Sequence, residues 1–172
     1  MAFLIIVFPT LFCGRAGADI AFVESADVWG LTGPLKGIMA HGAACGDIDG
    51  DGDLDLYVGN FCDRRPDVYL GRSGPVPNVL LINEGGRFSK SDQPELSFEA
   101  RTSGAAFVDL DNDGDLDLYV SNNSKTRGLR VANKLFENAG GRFREVTGAN
   151  DACVVMGARS IGVLDYDGDG LL

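Results

Sequence analysis

The sequence is poor in the residues that most catalytic and zinc sites need. It has one histidine and four cysteines in 172 residues, and these form neither a CxxC pair nor a Cys/His cluster, so a zinc site is unsupported. It also contains no HExxH pattern, nucleophile elbow or phosphate-binding loop. We therefore expect a protein that is not an enzyme.

Positive charge is also scarce. Lys and Arg total 15 and Asp and Glu total 25, which gives a net charge of −10. A general nucleic-acid binder obtains much of its affinity from a basic surface. Nucleic acid is therefore not an expected partner.

The one long apolar run lies at the start of the chain. Residues 2–12 are almost all apolar, and the small residues Ala16-Gly17-Ala18 follow, which is typical of a secretory signal with its cleavage site. A membrane span needs about 20 apolar residues, so no span is expected. We predict a signal peptide over 1–18 and a secreted, extracellular or cell-envelope protein. Two alternatives stay open: a buried N-terminal strand, because no Lys or Arg precedes the run, and a lipid anchor on Cys13, which the bulky Phe12 disfavours.

The apolar content of 45% is sufficient for a buried core, and wholesale disorder is excluded. Acidic residues are distributed unevenly, with 19 Asp against 6 Glu, and 13 of the Asp lie in three short runs. Outside these runs the chain is slightly positive. The negative charge therefore belongs to local sites that should hold a cation.

The acidic runs belong to an internal repeat. GAACGDIDGDGDLDLYVGN from Gly42 matches GAAFVDLDNDGDLDLYVSN from Gly104, and IGVLDYDGDG from Ile161 begins a third copy. A second block repeats in step, since NVLLINEGGRF from Asn78 matches NKLFENAGGRF from Asn133. The offsets of 62 and 56 residues between the acidic runs are typical of propellers, solenoids or arrays.

Within one repeat the hydrophobic period is two, which predicts strands. Leu54, Leu56 and Val58 should face one side, with Asp55 and Tyr57 on the other. The Asn-x-Gly-Gly stretches between apolar runs predict tight hairpins. Each repeat thus gives four strands: a small-residue strand into the acidic loop, the DLYV strand out of it, the NxL strand and the GRF strand. The Gly-Ala-Ala start suits the innermost strand of a propeller blade, and the expected fold class is all-β.

The acidic runs have the layout of metal-binding loops. In the first run carboxylates occupy positions 1, 3, 5, 7 and 9, with glycine at position 6, and the second run repeats this layout. Several carboxylates so close together repel one another unless a cation neutralises them, and oxygen-only donors favour Ca²⁺ over a softer metal or Mg²⁺. Side chains should ligate at positions 1, 3, 5 and 9, and the backbone carbonyl at position 7. The candidate ligands are Asp47, Asp49, Asp51, Asp53, Asp55, Asp109, Asp111, Asp113, Asp115, Asp117, Asp165, Asp167 and Asp169.

These loops differ from an EF-hand. Where an EF-hand has a bidentate Glu at position 12, the two complete loops have Val58 and Val120, and a strand follows instead of a helix. Asp55 and Asp117 should supply the bidentate ligand instead. The competing interpretation, a solvated acidic turn without metal, does not explain why the same layout occurs twice in register with strands.

The combination of the DxDxDGDxD loop, the DLYV strand, the NxLxxNxGGRF hairpin and a period near 60 residues resembles the FG-GAP or VCBS-type repeat. This repeat is the blade unit of integrin-alpha-like propellers and of many secreted proteins, including those related to cartilage acidic protein. The resemblance covers nearly all of 19–172. It implies a calcium-stabilised β-propeller whose loops serve adhesion, ligand binding or complex assembly.

The sequence departs from the family pattern in its third copy. The third loop reads Asp165 to Asp169 and then Gly170-Leu171-Leu172, so its closing carboxylate is missing. Residues 19–172 hold about two and a half repeats, fewer than even a four-bladed ring requires. We expect an incomplete propeller, either a fragment or a truncated gene product. Its open blade edges would be prone to association unless further sequence or another subunit continues them.

The leading functional hypothesis is an adhesion or ligand-binding module for an extracellular protein or glycan. The loops that follow the DLYV strands, 61–77 and 121–132, are candidate contact surfaces, although solvated loops that balance nearby aspartates are the simpler interpretation. Their cations are Arg64, Arg65, Arg72, Lys125, Arg127 and Arg130. An alternative is the catalytic or non-catalytic propeller part of a polysaccharide-degrading enzyme. His41, the only histidine, would be its test residue, but a structural role is favoured. Calcium-rigidified spacer arrays place acidic loops closer together and are disfavoured.

Three cysteines remain after the predicted cleavage: Cys45, Cys62 and Cys153. In an oxidising compartment Cys45 and Cys62 could close a short loop around the first acidic run. A small buried thiol is the alternative for Cys45, which lies in a strand-like run.

Overall fold

The computed structural model describes residues 23–65, 68–69, 74–123, 130–149, 153–170 and 172. The predicted signal peptide, Arg72, Lys125 and Arg127 lie outside the described residues. The described part contains eight strands and two short 3-10 turns, Pro94–Leu96 and Thr147–Ala149. The strands are β1 Ala40–Gly46, β2 Asp55–Asn60, β3 Val79–Asn83, β4 Phe88–Lys90, β5 Thr102–Val108, β6 Asp117–Asn122, β7 Lys134–Ala139 and β8 Arg142–Glu145.

The strands form two four-stranded antiparallel sheets. The first sheet has the order β1-β2-β3-β4 and the second has the order β5-β6-β7-β8. Their registers correspond: Ala44 pairs with Tyr57 in the first sheet, and Ala106 pairs with Tyr119 in the second. The predicted all-β fold and the four strands per repeat are therefore confirmed.

The Asn-x-Gly-Gly segments form the predicted tight hairpins. Gly85 and Gly86 both have positive φ, at 62° and 85°, as do Gly140 and Gly141 at 57° and 84°. Two central residues with positive φ produce the backbone twist that matches antiparallel strands. Glycine at these positions therefore sets the register of both hairpins.

The DLYV strand of the first repeat is buried on both faces. Leu56 and Val58 pack on one side of the sheet, and Tyr57, which has no exposed surface, packs on the other. The predicted alternation is therefore correct within the strand. It fails at Leu54, which precedes the strand and is 59% exposed, because the acidic loop ends only at Asp55.

The main core lies between the two sheets. Tyr57 and Leu80 of the first sheet meet Leu118, Val120 and Phe136 of the second, and all five are buried. Burial of each such side chain contributes about 1.5–3 kcal/mol of hydrophobic stabilisation. The two sheets therefore share a buried apolar core, as neighbouring units of repeat architectures do.

The innermost strands of the two sheets approach each other closely through glycine. A Cβ on Gly42 would lie 2.6 Å from Cα of Gly104, which is too near for any side chain. The small-residue motif of the repeat is thus explained by the contact between β1 and β5.

Residues 25–38 cover the other face of the first sheet. Leu31, 1% exposed, packs with Leu56, Val58 and Leu81 in a second core. Trp29 stacks on Phe88 with ring centres 6.2 Å apart. The first sheet is therefore enclosed on both faces.

Buried amides connect the two sheets. Asn78 in the first sheet donates from Nδ2 to Oγ1 of Thr102 at 2.8 Å, and Thr102 donates to Oδ1 of Asn122 in the second sheet at 2.8 Å. Asn78 also accepts from the backbone N–H of Asn60 at 2.8 Å. The exposed fraction of each of these side chains is 1% or less, so the network is a fully buried polar bridge.

The described part of the third copy, 153–170, runs along the second sheet. Gly157 of this segment forms an isolated antiparallel β-bridge with Asn123. Arg101 and Phe61 form the equivalent β-bridge one repeat earlier. Beside it lies a cavity of about 530 Å³, lined by Leu110, Tyr119 and Leu135 of the second repeat. Among the described residues no helix is both long and apolar enough to cross a membrane.

Candidate functional site

The three acidic runs fold into similar loops, here called loop 1 (Asp47–Asp55), loop 2 (Asp109–Asp117) and loop 3 (Asp165–Asp169). In each, the first carboxylate accepts hydrogen bonds from backbone N–H groups further along its loop. Asp47 accepts from Gly50 at 2.9 Å and from Gly52 at 3.0 Å. The chain therefore wraps around the position-1 side chain, and the later carboxylates turn toward it.

Each loop brings three carboxylates together. In each group one oxygen per residue lies within 4.8 Å of the others. The groups are Asp47, Asp49 and Asp55 in loop 1; Asp109, Asp111 and Asp113 in loop 2; and Asp165, Asp167 and Asp169 in loop 3. The structure thus gathers nine of the thirteen predicted ligands. Asp51, Asp53, Asp115 and Asp117 fall outside these groups.

The donor set fits calcium. Oxygens that bind one Ca²⁺ at about 2.4 Å are separated by no more than about 4.8 Å, and the grouped carboxylate oxygens all lie within this limit. The groups contain only carboxylate oxygens, with no His or Cys. Such hard, flexible donor sets suit Ca²⁺ better than a metal that prefers nitrogen or sulfur.

The position-7 aspartates bind the following hairpin. Oδ2 of Asp53 accepts from the N–H of Gly85 at 2.6 Å, and Oδ2 of Asp115 accepts from the N–H of Gly140 at 2.8 Å. These side chains therefore face the hairpin, and carbonyl ligation at position 7 stays a prediction.

The position-9 aspartates are buried at the start of the DLYV strands. Asp55, 1% exposed, accepts from the N–H groups of Ile48 at 3.1 Å and Asn83 at 2.8 Å. Burial raises the pKa of Asp55, and the charges of Asp49 and Asp51 raise it further, while the two N–H groups lower it. Asp117 has the same partners one repeat later, Leu110 and Asn138, and burial likewise raises its pKa. A cation at the site would relieve this crowding of negative charge.

Two asparagines hold the acidic loops, although the sequence predicted them only as hairpin residues. Asn83 donates from Nδ2 to the carbonyl of Leu54 at 3.2 Å, and Asn138 donates to that of Leu116 at 3.1 Å. Both are buried. The only sequence feature that could have indicated this role is that an asparagine recurs at the same place in each hairpin block.

The residue at position 4 of each loop has positive φ. The sequence pattern predicted a special backbone conformation only at the glycine of position 6. Gly50 has φ 76°, Gly168 has φ 78°, and Asn112 adopts the same conformation at φ 60°. Asparagine tolerates this region better than other non-glycine residues.

We predict that Asn112→Ala lowers the free energy of unfolding by about 1 kcal/mol, because alanine is strained at positive φ. Asn112→Gly, the residue that loops 1 and 3 use, should remain within about 0.5 kcal/mol of the wild type. Urea denaturation in calcium-free buffer measures both without a contribution from metal. Equal stabilities of the two variants would contradict a strained backbone at this position.

The repeat geometry agrees with comparisons to known proteins. Residues 63–120 match the family model described as FG-GAP-like repeat. The matched segment begins just after β2 and ends within β6, so it contains loop 2 with β5 before it and part of β6 after it.

The chain is also similar to cartilage acidic protein 1 from three vertebrates. The Homo sapiens protein is 28% identical over 162 residues, which cover 90% of this chain and 22% of that protein. The Mus musculus protein is 28% identical, covering 88% of this chain and 22% of the relative, and the Xenopus tropicalis protein is 30% identical, covering 90% and 23%. The chain thus spans less than a quarter of the length of these relatives. The resemblance to FG-GAP-type repeat proteins is confirmed.

At the opposite end of β2 from loop 1, His41 stacks on Phe61. Their ring centres are 3.8 Å apart with an angle of 7° between the planes. The guanidinium group of Arg101 lies 4.3 Å from the centre of the Phe61 ring and forms an ion pair with Asp63 at 2.7 Å. Burial, followed by the charges of Arg64 and Arg101, lowers the pKa of His41. These contacts describe a packing role for the histidine.

We predict a pH-dependent loss of stability at His41. Because its folded-state pKa lies below the ordinary value of 6.5, folding disfavours protonation, and the contribution is present above pH 6.5 and lost as the pH falls below it. The melting temperature of the wild type should therefore fall more between pH 7.5 and 5.5 than that of His41→Gln. Parallel curves for the two proteins would refute this prediction.

The three described cysteines form no disulfide. Cys45, Cys62 and Cys153 are all free, Cys45 is exposed on β1, and Cys62 is buried. The thiol of Cys62 donates to the carbonyl of Val76 at 3.1 Å, and burial raises its pKa to about 11. Of the two possibilities left open by the sequence, the closed loop between Cys45 and Cys62 is not formed in this structure. Cys62 is a small buried thiol, whereas Cys45, for which that alternative was considered, is exposed.

Proposed function

We propose that this chain is part of an extracellular, calcium-stabilised β-propeller module that binds a protein or glycan and has no catalytic role. The observation that carries the calcium proposal is the clustering of three carboxylates in each acidic loop, with oxygens within 4.8 Å of one another. The similarity to cartilage acidic protein 1 supports an extracellular location. The apolar run at residues 2–12, interpreted as part of a secretory signal, supports it as well.

The bracing of the loops supports a metal-binding role over a solvated turn. Asp55 and Asp117 are buried where their charge is costly, and they are held there by two backbone N–H groups each. A solvated turn would keep such carboxylates in water. With Ca²⁺ bound, position-1, position-3 and position-5 carboxylates would be its ligands, and the buried position-9 carboxylate would close the site.

Calorimetric titration with CaCl₂ tests the calcium proposal. We expect at least two ions per chain with dissociation constants near or below about 1 mM, the range of extracellular modules. Replacing Asp109 and Asp111 by Asn should remove one ion, while MgCl₂ should bind more weakly. No heat of binding up to several millimolar Ca²⁺ would reject the proposal.

The proposed partner surface lies at the ends of β2 and β6 that are far from the acidic loops. Arg64 and Arg130 are exposed there, and Arg64 also lies over the ring of Phe61 at 5.6 Å. Exposed guanidinium groups recognise sulfate and carboxylate groups well. This surface therefore favours an acidic extracellular glycan or protein.

Surface plasmon resonance on immobilised chondroitin sulfate tests this surface. The double variant Arg64→Ala/Arg130→Ala should lose most of the binding, because it removes two cations from the proposed surface. Arg87→Ala is the matched control, since Arg87 is exposed on a hairpin near loop 1. Equal binding by the wild type and the double variant, or equal losses in both variants, would remove the surface from the proposal.

The position of His41 does not support the alternative hypothesis of a catalytic propeller in a polysaccharide-degrading enzyme. The ring lies flat on Phe61 between cationic neighbours, a position that disfavours the protonated state a proton-transfer cycle must pass through.

A further inference from the structure

Asn138, at the end of β7, contacts two acidic loops at once. Its Nδ2 donates to the carbonyl of Ile48 in loop 1 at 2.8 Å and to that of Leu116 in loop 2 at 3.1 Å. Its backbone N–H donates to Oδ1 of Asp117 at 2.9 Å. The side chain is 5% exposed, so water competes little for the groups that form these hydrogen bonds.

The rest of the same hairpin also packs on loop 1. A Cβ on Gly141 would lie 2.8 Å from Cβ of Asp49, one of the clustered carboxylates. The carbonyl of Gly141 accepts from Nε2 of Gln93 at 2.9 Å, and Oε1 of Gln93 accepts from the N–H of Phe143 at 2.8 Å. The hairpin therefore packs on loop 1 through Gly141 and is also held by hydrogen bonds with Gln93.

The equivalent hairpin of the first sheet contacts only one loop. Asn83 donates to the carbonyl of Leu54 and to the carboxylate of Asp55, both in loop 1. A Cβ on Gly86, the counterpart of Gly141, would have nothing within 4 Å. The molecule thus contains a hairpin that joins two loops and a near-identical hairpin that holds one.

We propose that Asn138 and its hairpin couple calcium binding at loop 1 to calcium binding at loop 2. This inference rests on the proposed calcium sites. Binding of Ca²⁺ orders a loop, and an amide shared by two loops transmits that order, so the second ion meets a loop that is already partly fixed. The result is positive cooperativity between the two sites, with Asn138 as a positioning residue that touches neither ion.

The coupling is measured by calorimetry on the full chain, with Asp165→Asn and Asp167→Asn present throughout to silence loop 3. Single-site constants come from Asp47→Asn/Asp49→Asn, which leaves loop 2, and from Asp109→Asn/Asp111→Asn, which leaves loop 1. The overall constant of the two-site protein, divided by the product of the single-site constants, is the coupling factor. We expect about fivefold, at the lower end of common values.

Asn138→Ala should reduce the coupling factor to about one, because it removes the amide that joins the loops. Asn83→Ala is the matched control: it loses the side-chain hydrogen bond to Leu54 of its own loop and should weaken loop 1, while the coupling factor stays near that of the wild type. A general loss of stability would lower the calcium affinity of both variants. It would not reduce the coupling factor of Asn138→Ala alone.

A second pair of variants decides the question if Asn138→Ala fails to fold. Gly141 and Gly86 have φ of 84° and 85°, so Gly141→Ala and Gly86→Ala carry the same backbone strain. Only the Cβ added by Gly141→Ala would clash with Asp49. Gly141→Ala should reduce the coupling factor at least twofold, and Gly86→Ala should leave it unchanged.

The outcomes separate this inference from the calcium proposal. If the wild type takes up no Ca²⁺, the proposed function fails and the coupling fails with it. If both loops bind Ca²⁺ with a coupling factor of one, or if Asn138→Ala and Gly141→Ala leave the factor unchanged, the coupling is refuted and the calcium sites stand.

Discussion

Removal of calcium from the folded protein is expected to lower its melting temperature by about 6–12 °C. At about 1 mM Ca²⁺ and a dissociation constant near 0.1 mM, one site adds roughly 1.4 kcal/mol of stability. Two such sites give about 3 kcal/mol, and for a chain of this size each kcal/mol shifts the melting temperature by about 2–4 °C. Differential scanning calorimetry with 1 mM CaCl₂ or with EGTA measures the difference.

A variant with both complete loops neutralised at position 1, Asp47→Asn/Asp109→Asn, is the control for this effect. Its melting temperature should be nearly the same in calcium and in EGTA, apart from a contribution of loop 3. Readdition of Ca²⁺ to the EGTA-treated wild type should restore the transition. A wild type that melts at one temperature in both buffers would show that the loops do not stabilise the fold through metal.

Gly42→Ala is expected to destabilise the protein by about 2–3 kcal/mol, within the range for overpacked cores. The new Cβ would lie 2.6 Å from Cα of Gly104 and 2.8 Å from its N atom. Both are backbone atoms of β5, so relief of the clash requires a shift of the whole strand against β1. Such a shift would also disturb the core between the sheets.

Gly33→Ala is the matched substitution for Gly42→Ala, since a Cβ at Gly33 would have nothing within 4 Å and its φ is not in the left-handed region. Its free energy of unfolding should remain within about 0.5 kcal/mol of the wild type, as for most surface changes. Urea denaturation monitored by tryptophan fluorescence compares the two. A Gly42→Ala protein as stable as Gly33→Ala would contradict the close approach of the two strands.

The repeat made most of the fold predictable. Two copies of the same strand and hairpin blocks located all eight strands, because period-two patterns and paired glycines depend only on local sequence. The acidic loops were predictable for the same reason. Three carboxylates of each loop lie together, as expected from their spacing at alternate positions.

Features that depend on contacts between distant segments were not predictable. Residues 25–38 cover the first sheet without any periodic pattern of their own, so neither Leu31 nor Trp29 was expected in a core. The role of Asn138 depends on loop 1, which lies 90 positions away in the sequence. The thiols of Cys45 and Cys62 occur close in sequence, but the strands direct one to solvent and the other into the interior.

The buried amide bridge through Asn78, Thr102 and Asn122 makes the unfolding of the two sheets cooperative. Separation of the two sheets would leave several polar groups unpaired in an apolar interior, at about 1–3 kcal/mol for each group. A species with one sheet intact and the other melted is therefore strongly disfavoured, and heat should denature all eight strands in a single all-or-none transition, with equal calorimetric and van't Hoff enthalpies.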